Sequence, residues 1–367
     1  AKPDVILNTT AFATTKPGDD AAGGILGEFG CPVLQVVLSS ENQAGWADGT
    51  RGRSARDLAK HVALPEVDGR ILTRAISFKA DAVYDDNTEH YVVRAEPHDD
   101  RARFVAEQAK ALSGLRRTPI ADRKIAILLA NYPNRDARLA NGVGLDTPAS
   151  AINVLTAMRD AGYATANIPA DGSALIEELK SGATNAGIEG RTVADWLPLP
   201  IYDELFAQLP ATMREAVSER WGPSQQDPFA TSQGFAVAAK TYGDVVVGIQ
   251  PARGYNIDPK ETYHDPALVP PHNYFAFYFW LRHVYGAQAV VHLGKHGNLE
   301  WLPGKALALS EACYPEAVLG PLPNIYPFIV NDPGEGSQAK RRTSAVIIDH
   351  LMPPMTRAET YGPLREL

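Results

Sequence analysis

The sequence is poor in cysteine: Cys31 and Cys313 are the two in 367 residues. That excludes a disulfide framework, and neither thiol has a CxxC or Cys/His spacing that would hold structural zinc. A reducing, cytosolic compartment is the expected setting. Long apolar runs are also missing. The most apolar stretch, Tyr274 to Leu281, falls far short of the ~20 residues a bilayer-spanning helix needs. No membrane segment and no secretory leader are expected. Positive charge is not in excess. Lys and Arg total 35 against 43 Asp and Glu, a formal charge of −8, which argues against a nucleic-acid-coating role. No repeat of 20–50 residues is present. A phosphate loop is absent too. Gly297 is followed by six residues before Gly304-Lys305, and Ala306 stands where Walker A requires Ser or Thr. Gly334-Glu-Gly-Ser-Gln-Ala339 fits only the loose form of GxGxxG. The chain is therefore expected to carry no nucleotide site of its own.

What remains is ordinary globular material, 45% hydrophobic and 21% charged, in a length that suits two or three domains. Strand-like and helix-like runs alternate, which predicts an α/β protein. The expected class is Rossmann- or flavodoxin-like parallel sheets with helical insertions, in more than one domain. Asp4 to Leu7 and Val33 to Leu38 read as strands, and Ser54 to Val62 as a short helix. Asp99 to Arg117 reads as a helix with Phe104, Ala111 and Leu115 on its buried side. It ends at Thr118-Pro119, which sets a boundary between an N-terminal segment, 1–118, and a core, 119–367. Lys124 to Ala130 (KIAILLA), Asp244 to Ile249 (DVVVGI) and Ala287 to Leu293 (AQAVVHL) read as buried strands. After the first of these a polar loop runs to Asp146. A helix then opens with Thr147 as N-cap, Pro148 at N1, an apolar face of Ala151, Leu155 and Met158, and Gly162 as its stop. Strand, long loop, helix is the unit that places ligands beyond the carboxyl ends of strands. A polar helical insertion is expected near 172–240. Asp332-Pro333-Gly334-Glu335 reads as the start of a last helix.

The segment richest in chemistry is His292 to Lys305 (HLGKHGNLEWLPGK). Gly294 and Gly297 make it a strand end and loop, not a regular helix. His292, His296 and Glu300 offer ligands for a borderline divalent cation and a base for proton removal. The same residues also suit plain hydrogen bonding. Arg253, in QPARGYNID after a buried strand, can grip a carboxylate or cap its loop. His272 follows Pro270-Pro271 at a helix start. Tyr274 to Trp280 holds six aromatics in seven positions, a pattern for a buried helix or a wall against a planar ligand. Lys340-Arg341-Arg342 can meet anionic groups or stay solvated.

Together, HLGKHGNLEWLPGK (292–305), CYPEAVLGPLPNIYPFIVNDPGEGSQAKRR (313–342) and HLMPPMTRAE (350–359) resemble the large subunits of the tetrapyrrole metal chelatases, the family of aerobic cobaltochelatase and magnesium chelatase. QPARGYNIDPKETYHDPALVPPH (250–272) and KIAILLANYPNRDARLANGVGLDTPASAINVL (124–155) look like the cobalt branch, as do Lys295 and Trp301-Leu302 after the glutamate. Members are much longer, so the chain is expected to be an internal piece. The resemblance implies insertion of Co2+, the substrate metal, into hydrogenobyrinic acid a,c-diamide in cobalamin biosynthesis. It further implies ATP-Mg bound on partner subunits, an AAA+ ATPase and its companion. It implies Glu300 and His296 as catalytic residues, with His292, His296, Glu300 and His272 as metal ligands. Expected substrate contacts are Arg253, Tyr255, His264, His272, Lys295, Asn324, Tyr326, Arg341 and His350. Three other readings stay open. They are a magnesium chelatase subunit acting on protoporphyrin IX, a non-catalytic tetrapyrrole- or metal-binding module, and a zinc hydrolase.

Overall fold

The computed structural model describes residues 2–15, 24–131, 136, 139–140, 145–255, 265–294, 297–328 and 333–349. Two sheets organise them. The first is built from β1 (Ile6–Asn8), β2 (Val33–Asn42), β3 (Ile71–Lys79) and β4 (Ala95–Pro97), in that spatial order. Its first three strands are parallel and β4 runs antiparallel. Helix α1 (Asp99–Arg117) follows as expected. It buries Phe104, but Ala111 and Leu115 are only half-buried, and Arg101, Val105 and Gln108 complete the inward face.

The second sheet holds β5 (Ile125–Leu129), β6 (Ala239–Tyr242), β7 (Val245–Ile249), β8 (Ala289–Leu293), β9 (Asn324–Phe328) and β10 (Val346–Asp349). The spatial order is β6-β7-β5-β8-β9-β10, with β6 antiparallel at one edge and the rest parallel. Counted from β5, the parallel strands lie in the order 2-1-3-4-5, the flavodoxin-like arrangement, so the order reverses between β5 and β8. The runs IAILL and VVVGI are buried along their whole length. Such continuous apolar strands are what a sheet covered on both faces requires.

Each face has its own cover. Helix α2 (Thr147–Asp160) and α3 (Gly172–Ser181) cover Ile125, Ile127 and Leu129. Helix α4 (His272–Phe279), continued by a wider turn to Tyr285, covers Ala126, Leu128 and Val246. All six aromatics of 274–280 are buried in this second core. A Cβ at Gly248 would stand 2.7 Å from the Phe277 ring, so glycine lets α4 settle onto β7. The N-cap of α2 is Asp146, whose side chain accepts from the Ala149 amide at 3.1 Å; Thr147 is the first helical residue instead. The insertion carries helices Leu199–Ala207 and Ala211–Trp221 and a small antiparallel sheet of 196–197, 230–231 and 234–236.

The two sheets share a strap, residues 305–309. Leu307 and Ala308 belong to the same core as Val37, Trp46, Val62, Leu72, Ala75 and Phe78. Trp46 Nε1 donates to the Ala308 carbonyl at 2.9 Å, and Lys305 Nζ donates to the carbonyls of Ala47 (2.8 Å) and Gly49 (2.5 Å). At Gly52, with φ +77°, a Cβ would lie 1.8 Å from the Leu307 carbonyl oxygen, so no other residue fits.

Candidate active site at the carboxyl edge of the central sheet

Strands β5, β7, β8, β9 and β10 all end at the same edge of the sheet, and the segments that stand out in the sequence are the loops that leave them. Of the expected site residues, Lys295, His296, His264 and His350 lie outside the described residues. The others fall into two groups.

The first group gathers around Tyr326 on β9. Glu300 sits in a single helical turn, Leu299–Trp301, and is 4% exposed. Tyr326 donates its hydroxyl to Glu300 Oε1 at 3.3 Å and accepts the Gly297 amide at 2.7 Å. A Cβ at Gly297 would stand 2.9 Å from both Glu300 carboxyl oxygens and from the Tyr326 hydroxyl. Glycine is therefore what lets carboxyl and phenol close on the loop. Among the described residues no Lys or Arg side chain forms an ion pair with this carboxyl. Burial pushes its pKa up to about 7, against the smaller opposing pull of hydrogen bonding, including that from Tyr326. Glu300 thus exchanges a proton near neutrality.

His292, the fourth residue of β8, is 5% exposed. Its partners assign the tautomer. Thr343 Oγ1 donates to the Ala339 carbonyl (2.7 Å) and accepts Asn324 Nδ2 (2.9 Å). Asn324 Oδ1 therefore faces His292 Nδ1, 2.8 Å away, and that nitrogen carries the proton. Nε2 is left as an acceptor toward the Tyr278 hydroxyl at 3.1 Å. Burial lowers the His292 pKa to about 4, so the ring is neutral. Its centroid is 6.2 Å from that of Tyr326, whose hydroxyl bonds Glu300.

The residues of the second group have partners of their own. His272 Nε2 donates to the Gly222 carbonyl (2.9 Å), and Nδ1 accepts the Tyr202 hydroxyl (2.6 Å). Neither nitrogen has a lone pair left for a cation, which corrects its expected role as ligand. Tyr255 donates to the buried carboxylate of Asp227, which also accepts the amides of Phe229 and Asn273. Tyr255 is thus a brace of the insertion. Arg253 Nη2 donates to the Asp265 carbonyl at 2.8 Å and fastens its own loop. Arg341 pairs with Glu66 at 3.0 and 3.2 Å and is held against the N-terminal unit. Among the described residues no three His, Cys, Asp or Glu side chains converge as a metal-holding group. Of the expected set, His296 lies outside the described residues, and His272 is not grouped with His292 and Glu300.

Several residues at this edge escape a reading of the sequence. Gln250, the residue after β7, accepts the Asn298 amide at 3.2 Å. Asn298 in turn accepts the Tyr274 hydroxyl (2.6 Å) and donates to the Pro251 carbonyl (2.8 Å). Asn131 follows β5, is 3% exposed, and has neither amide atom hydrogen-bonded. Thr147 Oγ1 is also buried without a partner and packs beside Gly294, after β8. These orphans lie where the strand order reverses. Unpaired buried polar groups are rare in folded proteins, and a catalytic role or a bound water or ion is among their explanations. For Asn131 and Gln250 the signal is a polar residue just after an all-apolar run.

The order of the sheet and the polar, desolvated cluster beyond its strand ends define an α/β protein with a candidate ligand site at its topological switch point. The particular family follows from comparison. The chain belongs to the CobN/Magnesium Chelatase family, whose profile matches residues 1–367. It is 59% identical over 367 residues to the aerobic cobaltochelatase subunit CobN of Sinorhizobium sp, covering 100% of this chain and 29% of that protein. It is 30% identical over 339 residues to the magnesium-chelatase H-type subunit of Cereibacter sphaeroides, covering 90% of this chain and 28% of that one. The solved catalytic subunit of cobaltochelatase from Mycobacterium tuberculosis superposes with a TM-score of 0.81 at 41% identity, over 99% of this chain and 31% of that structure. The chain thus spans less than a third of the length of the relatives it matches. No described helix is long and apolar enough to cross a membrane.

Proposed function

We propose that this chain is the portion of a cobaltochelatase catalytic subunit that receives a tetrapyrrole and inserts Co2+ into it, with hydrogenobyrinic acid a,c-diamide as the acceptor. The observation that carries the reading is Glu300: a desolvated carboxyl, held by Tyr326 and Gly297 at the carboxyl edge of the sheet. Insertion requires the cation to shed water and the ring nitrogens to give up protons. A carboxyl that titrates near neutrality accepts such a proton and can pass the cation an oxygen. His296, four residues before Glu300, is the proposed transient metal ligand. Neutral His292 supports it with an Nε2 lone pair that a turn of the Tyr278 hydroxyl would free. Asn131 and Thr147 would meet polar substituents of the macrocycle. ATP hydrolysis falls to separate subunits, an AAA+ ATPase and its companion, in keeping with the lack of a phosphate loop. The cytosol is the proposed compartment. The greater identity to the cobalt than to the magnesium relative supports the choice of metal.

The test uses the full-length subunit with its ATPase partners. Glu300→Gln is expected to slow cobalt insertion by roughly 100-fold or more. Binding, followed by quenching of Trp301, which is 39% exposed beside Glu300, should survive. Insertion at the wild-type rate would remove Glu300 from the chemistry. Tighter binding of protoporphyrin IX than of the corrinoid would move the protein to the magnesium branch.

A further inference from the structure

Helix α5 (Pro333–Thr343) carries the basic run Lys340-Arg341-Arg342. Arg342 does not face outward. It is 6% exposed, and its three donor groups go to three backbone carbonyls of one loop. Nη1 reaches Glu300 O at 2.5 Å, Nη2 reaches Leu302 O at 2.7 Å, and Nε reaches Lys305 O at 3.0 Å. Burying a guanidinium is expensive, and a loop that needed only packing would be filled by an apolar side chain. What the guanidinium supplies is a rigid, planar fork of donors that fixes several acceptors at once. Here the fork grips the backbone of the turn that bears Glu300. The next residue, Thr343, holds Asn324 and through it His292. The helix itself is tied to the N-terminal unit, through Arg341 to Glu66 and through Ser344 Oγ to the Leu72 carbonyl at 2.7 Å.

We infer that Arg342 is a positioning residue for metal insertion: its guanidinium sets the backbone of residues 300–305 and so places the Glu300 carboxyl against Tyr326. The inference rests on the reading of Glu300 as the proton acceptor. Arg342 touches neither metal nor ring; it acts through Glu300. A lysine cannot reproduce the function, because one ammonium nitrogen cannot span three carbonyls spread over six residues.

The experiment is a double-mutant cycle in the full-length subunit with its ATPase partners, measuring kcat for cobalt insertion and KM for the corrinoid and for Co2+. Arg342→Lys is expected to lower kcat at least tenfold and leave both KM values within about threefold. In the Glu300→Gln background the same substitution should change kcat by less than about threefold, because the group it positions is already gone. A general loss of folded protein would multiply through both backgrounds. If R342K costs the same factor with and without Glu300, Arg342 does not act through it and the inference falls. If E300Q alone leaves kcat unchanged, the reading of Glu300 falls instead, and the two failures are distinct. Should R342K not accumulate as folded subunit, Arg342→Gln, which keeps an amide donor pair, is run through the same cycle with the same two outcomes.

Discussion

Arg101 of α1 and Glu316 of the short helix Tyr314–Leu319 form a buried pair, with Nη1 2.7 Å from Oε1 and 2.8 Å from Oε2. Arg74 of β3 closes on the same carboxylate, Nε to Oε2 at 2.6 Å, and lies over the Phe104 ring at 4.4 Å. One glutamate of the central unit thus bridges two buried arginines of the N-terminal unit, and Asp100 is a second partner of Arg101. Removing it leaves Arg74 without a counter-ion and Arg101 with the partly exposed Asp100 alone. Glu316→Ala is expected to destabilise by about 3–5 kcal/mol. Urea unfolding of the variant against the parent chain checks this; a change below about 1 kcal/mol would show that water reaches the arginines.

Asn131 sets binding against stability. Its two amide atoms are buried without partners, a desolvation cost of about 1–3 kcal/mol in the unliganded chain. Asn131→Leu keeps the size and removes the polar atoms. The variant is expected to melt higher than the parent and to bind hydrogenobyrinic acid a,c-diamide at least tenfold more weakly. Thermal melts and fluorescence titration read the two effects separately. A variant that is both less stable and unchanged in affinity would mean the amide serves the fold.

Asp68 gives an acid-range prediction. Burial alone would raise its pKa, yet the hydroxyls and amides of Thr15 and Thr14 outweigh burial and bring it down to about 2 from 3.8. Arg70 also pairs with it at 2.6 Å. Because the folded value lies below the unfolded one, the unfolded chain takes up the proton first. The contribution is therefore complete above about pH 4 and is lost as the pH falls toward 2, about 2 kcal/mol in all. Asp68→Asn should be less stable than the parent at pH 6, with the gap narrowing between pH 4 and 2. A gap independent of pH would assign the loss to packing.

How far the sequence is legible depends on how local each cause is. IAILL, VVVGI and AVVHL are strands because consecutive apolar residues suit a doubly covered sheet, and that is written in the residues themselves. The two- and three-residue strands of the insertion are invisible in the sequence because segments that short carry no period. Thr147 reads as an N-cap because Ser, Thr, Asp and Asn all suit the position; the Asp146 carboxylate stands one residue earlier and wins the Ala149 amide. The end of β8 at Leu293 is legible from Gly294, the residue that follows it. The burial of Glu300 is not, since it depends on Tyr326 in another strand. The partners of His272 and Arg341, namely Tyr202, Gly222 and Glu66, are not legible because they lie far away in sequence. A basic run such as 340–342 looks solvent-facing until its acceptors are known, here the Glu66 carboxylate for Arg341 and backbone carbonyls for Arg342.

The strap at 305–309 bears on how the polypeptide is made. The ribosome delivers the first sheet early, but the pocket around Trp46 lacks Leu307 and Ala308 until much later, the separation of the Trp46–Ala308 bond being 262 residues. Long-range closures of this kind are slow and leave apolar surface bare in the interval. The N-terminal sheet is then a nascent structure waiting for its last piece. A chain cut after residue 118 would never receive it, and would expose the Trp46 pocket to chaperones and to other chains.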